Sequence, residues 1–232
     1  LDCHNLLKKC LYRVFEYLTG FIDTFKIFVS YSEMQYAKNL NIIKGKNYKI
    51  INNGVPNKEI KKNFNKRNST NKKIKVISIC RFVKQKNIDE ILKIAKKLED
   101  IEFLIIGDGP LWENIFSLVG EYKLDNIKLI GEKNNVFDYL YMSDIFLSTS
   151  LYEGLPISIL EAMSIGLPIV ASNVIGNYDT INHSREGYLY DLYDIDMAVK
   201  YLNLIANDNS KRVSMGKLSH LRQRKIFSIE AM

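Results

Sequence analysis

The sequence is poor in cysteine. Its 232 residues include three cysteines, Cys3, Cys10 and Cys80, with no CxxC pair and no cluster of cysteine with histidine. A disulfide framework needs a dense, even set of cysteines, and a structural zinc site needs closely spaced ligands. Neither is expected here, and the thiols are interpreted as buried or incidental.

Long apolar runs are also lacking. No stretch approaches the ~18 apolar residues that a membrane-spanning helix needs. The most apolar early segment, residues 14–30, is interrupted by Glu16, Asp23 and Lys26. Because it also lacks the basic start and the small-residue cleavage site of a secretory signal, we expect a cytoplasmic protein.

Basic residues outnumber acidic ones. The 33 Lys and Arg against 26 Asp and Glu give a net charge of +7, and much of the excess falls in residues 58–75. This segment is interpreted as a solvated basic loop or, alternatively, as a surface for peripheral membrane contact or for attracting an anionic substrate. Nucleic-acid binding is not expected, because the basic run lacks regularly interleaved aromatics and no recognition-helix or RNP-type motif is found.

From residue 74 onward, short apolar runs alternate with helix-like stretches. This alternation is typical of βαβ units around a parallel sheet. Strands are predicted over 74–80, 102–106, 127–130, 144–149, 168–172 and 187–190. Helices are predicted over 88–98, 111–122, 136–142, 157–165, 195–206 and 211–227.

The first fifty residues contain fewer elements. Ser32-x-x-Gln35 resembles a capping box that opens a helix, and residues 52–56 (NNGVP) are a turn signal. Because so few elements cannot bury enough surface for a domain, we interpret residues 1–54 as the end of a first domain and residues 55–232 as a second domain. The other elements predicted in the first part are one helix and two strands, over 5–18, 26–29 and 49–52.

One segment has the pattern of an anion-binding site. Gly154 lies in the turn after a predicted strand, and Pro156 begins the next helix, where its missing N–H is no loss. The next amides, those of Ile157, Ser158 and Ile159, have no intrahelical partner and lie at the partially positive helix end. Such a helix end at the carboxyl edge of a parallel sheet predicts phosphate binding.

Charged side chains flank this segment. Glu153 precedes the helix and Glu161 lies within it, as expected of carboxylates that accept hydrogen bonds from sugar hydroxyls on either side of a diphosphate. Arg81 and Lys86 follow the first strand of the same sheet and can neutralise phosphate oxygens. Taken alone, Glu153 and Glu161 would be interpreted as acids that interact with the helix dipole. Arg81 and Lys86 would be interpreted as solvated surface residues. Together they indicate a site for the diphosphate end of a nucleotide-sugar.

The combination resembles the second domain of family 4 glycosyltransferases, which are of the group 1 type and have the GT-B fold. The resemblance covers roughly residues 26–228. It implies an α/β fold with a Rossmann-like parallel sheet sandwiched by helices, preceded by a remnant of a second Rossmann-like domain on the acceptor side. The motifs that carry it are Arg81…Lys86-Asn87, residues 106–110 (IGDGP), Gly131, residues 150–162 (SLYEGLPISILEA) and residues 166–172 (GLPIVAS).

The resemblance also implies a function. It is the retaining transfer of a sugar from a nucleotide-sugar to a glycan or lipid-linked acceptor, with no metal ion and no further cofactor. A UDP-linked donor and bacterial surface-polysaccharide synthesis are the default expectations for the family. Because the acceptor-side domain is nearly absent, the chain alone is expected to be inactive.

Residue roles follow from the same resemblance. Arg81 and Lys86 are expected to neutralise the donor diphosphate, Glu153 to contact the transferred sugar, and Glu161 to hold the ribose hydroxyls. The other expected donor contacts are Gly154, Leu155, Pro156 and Ile157 around the phosphates and the sugar, and Gly131 and Lys133 near the nucleobase.

The sequence departs from the family pattern in three places. Cys80 and Asn87 stand where glycine is common, before Arg81 and after Lys86. Near residues 175–179 (IGNYD), a Gly-Gly followed by Glu would be more usual. The first two departures leave the charged groups in place, so the phosphate-binding interpretation stands.

Other motifs are weaker. Gly107-x-Gly109 follows a predicted strand as in dinucleotide-binding folds, but the third glycine is missing. Asp194-x-Asp196 resembles a metal-binding DxD motif but precedes a helix, where a cap is the better interpretation. His183 lies in a polar turn and is interpreted as structural or exposed.

Two other classes of function stay open. The chain could be a non-catalytic nucleotide-sugar-binding module, which donor hydrolysis or sugar transfer by the chain would exclude. It could also be a sugar-nucleotide epimerase of the same fold, which exchange at the sugar C2 would indicate.

Overall fold

The computed structural model describes residues 25–43, 47–60 and 73–232, together with Leu11, Val14 and Phe15. It divides the chain into two compact units, Leu1–Asn52 and Asn53–Met232, a division close to the predicted boundary after residue 54. Most of the helix predicted over 5–18 and most of the basic segment 58–75 lie outside the described residues.

The first unit contains two parallel strands and one helix. Strand β1 (Lys26–Phe28) pairs with strand β2 (Tyr48–Ile50). Helix α1 (Tyr31–Asn39) lies between them in the chain. Both predicted strands therefore exist, each with bounds that differ by one or two residues from the prediction.

The start of α1 corrects one prediction. Ser30, not Ser32, is the N-cap, because its extended backbone lets its hydroxyl accept a hydrogen bond from the Glu33 amide at 3.1 Å. The Glu33 carboxylate in turn accepts from the Val29 amide at 2.9 Å. Ser32 and Gln35 both lie inside the helix, so the capping box predicted there was wrong by two residues.

The second unit is a six-stranded parallel sheet flanked by helices. Its strands are β3 (Lys75–Ile79), β4 (Glu102–Ile106), β5 (Ile127–Gly131), β6 (Ile145–Ser148), β7 (Ile169–Ser172) and β8 (Gly187–Tyr190). Its helices are α2 (Ile88–Lys96), α3 (Trp112–Glu121), α4 (Val136–Met142), α5 (Ile157–Ser164), α6 (Asn177–Thr180), α7 (Ile195–Ala206) and α8 (Asn209–Ile226), with a 3₁₀ turn at Lys84–Lys86. The predicted α/β fold with a Rossmann-like parallel sheet is confirmed, although α6 and the 3₁₀ turn are absent from the prediction.

The inner strands are buried on both faces. All four residues of β7 are buried, as are four of the five in β4. Parallel strands covered by helices on both sides are continuous apolar runs instead of alternating ones. Ile105 packs in one core with Ile91 and Leu92 of α2, and each such side chain contributes about 1.5–3 kcal/mol when fully buried.

The order of the strands determines where a ligand can bind. The sheet runs β5-β4-β3-β6-β7-β8. The chain moves outward from β3 to β5, returns to β6 beside β3, and then moves outward in the other direction to β8. The loops that leave β3 and β6 therefore diverge and open a crevice at the carboxyl edge, which is where open parallel sheets bind ligands.

Candidate functional site

Two of the predicted charged residues meet at this crevice. Lys86 lies in the loop after β3, and Glu153 lies in the loop after β6. The Lys86 Nζ is 2.5 Å from the Glu153 Oε1, and the two side chains are 20% and 10% exposed. The strand order thus brings residues 67 positions apart into direct contact.

A pocket adjoins this ion pair. Its lining includes Cys80, Lys86, Thr149, Glu153 and Ser158. Burial raises the pKa of the Cys80 thiol to about 12, while Lys86 opposes this shift and Glu153 adds to it. The thiol is therefore protonated at neutral pH, and Cys80 serves as an uncharged part of the pocket wall.

Hydrogen bonds join the two loops that carry the ion pair. The Leu151 amide donates to the Gln85 carbonyl at 2.8 Å. The Gln85 side-chain amide donates back to the Tyr152 carbonyl, also at 2.8 Å. Two reciprocal bonds therefore hold the loops in register on either side of the crevice.

The loop after β4 supports the start of the Arg81 loop. Arg81 itself is exposed. The next residue, Phe82, is fully buried, and its amide donates to the Asp108 carbonyl at 2.8 Å. A Cβ on Gly107 would lie 1.9 Å from the Cys80 carbonyl oxygen. The Gly107-x-Gly109 motif therefore permits close packing beneath the Arg81 loop, a role that needs no dinucleotide.

The start of α5 corrects two details of the predicted anion site. Helix α5 begins at Ile157, with Pro156 at the N-cap position. The Pro156 carbonyl accepts hydrogen bonds from the Ile159 and Leu160 amides at 3.1 and 3.2 Å. Ile159 is therefore engaged within the helix. The amides of Ile157 and Ser158 find no acceptor among the residues that the structure describes.

The loop after β7 packs against the glutamate turn. Gly176 has φ +84°, and a Cβ at this position would lie 2.7 Å from the Gly154 carbonyl oxygen and 2.9 Å from the Glu153 Cβ. The Glu153 amide donates to the Ile175 carbonyl at 3.3 Å. The position of Glu153 thus depends on a neighbouring loop in which only a residue without a side chain fits.

Three supporting residues are absent from the sequence prediction: Asn53, Gln85 and Gly176. The Asn53 side-chain amide donates to the carbonyl of the buried Leu155 at 2.9 Å. Asn53 lies in the NNGVP turn, whose signal indicates a turn but not its partner. Gly176 falls in the segment that departs from the family pattern, so the missing second glycine obscured its importance.

The remaining predicted residues do not contact the ion pair. Glu161 lies in the second turn of α5 and is partly buried, and burial raises the pKa of its carboxyl group. Gly131 ends the edge strand β5, where its carbonyl accepts a hydrogen bond from the Gly107 amide at 3.0 Å. Lys133 follows it and is exposed. These two share the carboxyl edge of the sheet but lie two strands away from β3.

The rival motifs have structural roles. The Asp194 carboxylate accepts from the Met197 amide at 3.0 Å, which confirms the helix cap. The His183 Nδ1 accepts from the Leu189 amide at 3.2 Å, and its ring packs edge-on against Tyr188. Within the described ranges, no three His, Cys, Asp or Glu side chains gather closely enough to hold a metal ion. None of the helices found there combines the length and apolar character needed to cross a membrane.

Comparison with known sequences identifies the family. The sequence profile described as Glycosyl transferases group 1 matches residues 59–221, which is more than half of the chain. The chain belongs to this family. The expectation of a group 1 glycosyltransferase is therefore confirmed, while the assignment to family 4 and the retaining mechanism stay predictions.

Curated bacterial relatives match part of the chain. An Escherichia coli UDP-Gal:alpha-D-GlcNAc-diphosphoundecaprenol alpha-1,3-galactosyltransferase is 38% identical over 116 residues, which are 48% of this chain and 29% of that protein. A Staphylococcus aureus poly(ribitol-phosphate) alpha-N-acetylglucosaminyltransferase is 34% identical over 137 residues, which are 56% of this chain and 28% of that protein. The chain spans less than half the length of these relatives.

Solved structures share the fold. A variant of S. aureus TarM, in complex with fondaparinux, alpha-GlcNAc-glycerol and UDP, has a TM-score of 0.83 at 23% identity, covering 100% of this chain and 46% of that one. Anabaena HepE, in complex with UDP and glucose, has a TM-score of 0.84 at 16% identity, covering 97% and 64%. These likenesses confirm the expected GT-B domain fold.

The packing of Gly176 yields a test of the site architecture. We expect Gly176→Ala to lower the free energy of unfolding by about 1–3 kcal/mol, because a methyl group meets backbone atoms and φ is positive. Gly120→Ala is the matched control, since it lies in α3 with open space around it and should raise stability by about 0.5–1 kcal/mol. Urea unfolding measures both, and a Gly176→Ala protein as stable as the parent would contradict the packing.

Proposed function

We propose that this chain is the donor-binding part of a glycosyltransferase. It binds a nucleotide-sugar at the crevice between β3 and β6, and the nucleotide is UDP, the most frequent one in this family. The observation that carries the proposal is the contact of Lys86 with Glu153 beside the amides of Ile157 and Ser158, which have no acceptor among the described residues. A cation, a carboxylate and the N–H groups of a helix start therefore lie at one sheet edge. The cation and the N–H groups suit phosphate oxygens, and the carboxylate suits sugar hydroxyls.

The diphosphate is placed against the positive groups. Lys86, the exposed Arg81 and the amides of Ile157 and Ser158 all offer donors to phosphate oxygens. Glu153 would repel a phosphate on its own. Because Lys86 contacts Glu153 directly, the ammonium offsets that repulsion, and the carboxylate can accept hydrogen bonds from the transferred sugar.

The reaction that follows is transfer of the sugar. The bond between the anomeric carbon and the diphosphate oxygen breaks, and its electron pair leaves with the nucleoside diphosphate. A hydroxyl oxygen of the acceptor forms the new bond to the same carbon, and its proton passes to the departing diphosphate oxygen. Negative charge develops on the departing diphosphate, where Arg81, Lys86 and the α5 amides stabilise it more strongly in the transition state than in the ground state.

The rest of the donor follows the sheet edge. Glu161, farther along α5, is assigned to the ribose hydroxyls, and the segment of Gly131 and Lys133 after β5 to the nucleobase. We further propose that the transfer retains the anomeric configuration and uses no metal ion, as the resemblance to family 4 implies.

The comparisons support the choice of donor and setting. The TarM and HepE structures contain UDP, and the two bacterial relatives are named for transfer to a diphosphoundecaprenol-linked sugar and to poly(ribitol-phosphate). We therefore propose a glycan or lipid-linked acceptor in surface-polysaccharide synthesis. The reaction would take place in the cytoplasm, with peripheral membrane contact through the basic segment 58–75.

A second candidate is donor binding without catalysis by this chain alone. The observation in its favour is that the chain spans less than half the length of the two curated relatives described above, while GT-B enzymes react in a cleft between two domains. Release of free sugar from the donor by the purified chain would exclude this candidate. Exchange at the sugar C2 would instead indicate an epimerase.

Substitution of the cations tests the diphosphate assignment. Arg81→Ala and Lys86→Ala should each weaken UDP binding by about 10–100-fold, the value of a charge-assisted hydrogen bond. In an active enzyme, Arg81→Ala should lower the rate about 10²–10³-fold. Lys84→Ala is the control, because it removes the same charge from an exposed position in the same loop. Equal losses by calorimetry in all three variants, or normal turnover of Arg81→Ala, would refute the assignment.

The raised pKa of Glu161 generates a pH test. As pH falls from neutral toward the ordinary glutamate pKa, Glu161 gains a proton at a higher pH than an ordinary glutamate and then accepts ribose hydrogen bonds less well. UDP-glucose affinity should fall over this range, since its diphosphate does not titrate there. The free energy of unfolding should change with pH in the direction opposite to the UDP-glucose affinity. The folded protein retains this proton more tightly than the unfolded chain, so the associated stability is present at low pH and is lost as pH rises through the folded pKa.

Glu161→Gln is the matched variant for this measurement. It keeps the size of the side chain and removes the titrating group, so it should bind UDP-glucose with a flatter pH profile. A profile identical to that of the parent protein would contradict the assignment of the pH dependence to Glu161.

A further inference from the structure

The residue after Lys86 has an unusual backbone conformation. Asn87 lies in the left-handed region with φ +50° and ψ +48°. This conformation is unfavourable for a residue with a side chain, although asparagine tolerates it better than most. The Asn87 side chain does not cap α2. Instead, its Nδ2 donates to the Glu90 Oε2 at 2.8 Å.

Glu90 is a buried acid on an otherwise apolar face of α2. It is 3% exposed, and its Oε1 accepts a hydrogen bond from the hydroxyl of the buried Tyr190 at 2.8 Å. Burial raises the pKa of Glu90, and its hydrogen bonds with Tyr190 and Asn87 oppose the shift. Burying a carboxyl group is costly even when it is hydrogen-bonded, so an apolar residue would fill this place at lower cost. Its two oxygens connect the core to the turn at Lys86.

The other side of the same turn is held from β6. Thr149 follows β6 and is 1% exposed. Its hydroxyl lies 2.8 Å from the Lys86 carbonyl oxygen and 3.0 Å from that of Asn87. The turn formed by Lys86 and Asn87 is therefore fixed at the Asn87 side chain by Glu90 and at its backbone by Thr149.

We propose that Glu90 and Thr149 are positioning residues that hold this turn so that the Lys86 ammonium reaches the donor diphosphate beside Glu153. The inference rests on the proposed function of Lys86. A lysine side chain is flexible along four carbons, so the place of its ammonium depends on where its backbone is held. Sites that act on a reacting group need such support from residues that hold the ligand-contacting groups in place.

A double-mutant cycle tests the proposal through UDP affinity measured by calorimetry. Thr149→Val removes the hydroxyl at nearly constant shape and should weaken UDP binding by about tenfold, whereas Thr149→Ser retains the hydroxyl and should rescue it. In a Lys86→Ala background, Thr149→Val should cause no further loss, because it acts through Lys86. A normal affinity of Thr149→Val, or an equal loss in both backgrounds, would overturn the proposal.

A second variant separates positioning from stability. Glu90→Leu combined with Tyr190→Phe replaces both buried partners by apolar groups and should leave the thermal midpoint equal or higher. UDP affinity should nevertheless fall by about tenfold, since Asn87 loses its anchor. Unchanged affinity would overturn the role of Glu90. If Lys86→Ala alone leaves UDP binding unchanged, the proposed function of Lys86 fails and this inference fails with it. That outcome differs from one in which Lys86→Ala weakens binding and Thr149→Val causes the same loss in both backgrounds, which overturns this inference alone.

Discussion

The contact between the Lys86 ammonium and the Glu153 carboxylate is the interaction on which the site depends. It is formed at the point where the strand order of the sheet reverses, between the loops after β3 and β6. In the proposed complex, the carboxylate would accept hydrogen bonds from the transferred sugar, and the cation would offset the charge of the neighbouring phosphates. The short separation of the two groups lets one crevice serve both chemistries.

Much of the surrounding structure holds this pair in place. The glycines after β4 let a loop pack beneath Arg81, and Gly176 lets another pack behind Glu153. Thr149 and Glu90 hold the turn at Lys86. These supports come from the loops after β4, β6 and β7 and from helix α2, so the geometry of the site depends on several elements of the second unit.

The sequence predicts the sheet well and the contacts between loops poorly. The strands at 102–106 and 187–190 have the predicted bounds, because buried parallel strands are continuous apolar runs that local patterns reveal. The site segments are predictable because a helix start after a strand has recognisable residues. The bond from Asn53 to Leu155 and the bond from Tyr190 to Glu90 depend instead on strand order and on packing between residues far apart in the chain. A one-dimensional pattern does not contain that information.

The central claim is that this crevice recognises a nucleoside diphosphate through its phosphates. Calorimetric titration of the 232-residue chain with UDP and, separately, with uridine tests it most directly. The account predicts that UDP binds at least about 100-fold more tightly than uridine, since at least two charge-assisted hydrogen bonds go to the diphosphate. Equal affinities, or no UDP binding at millimolar concentration, would contradict it.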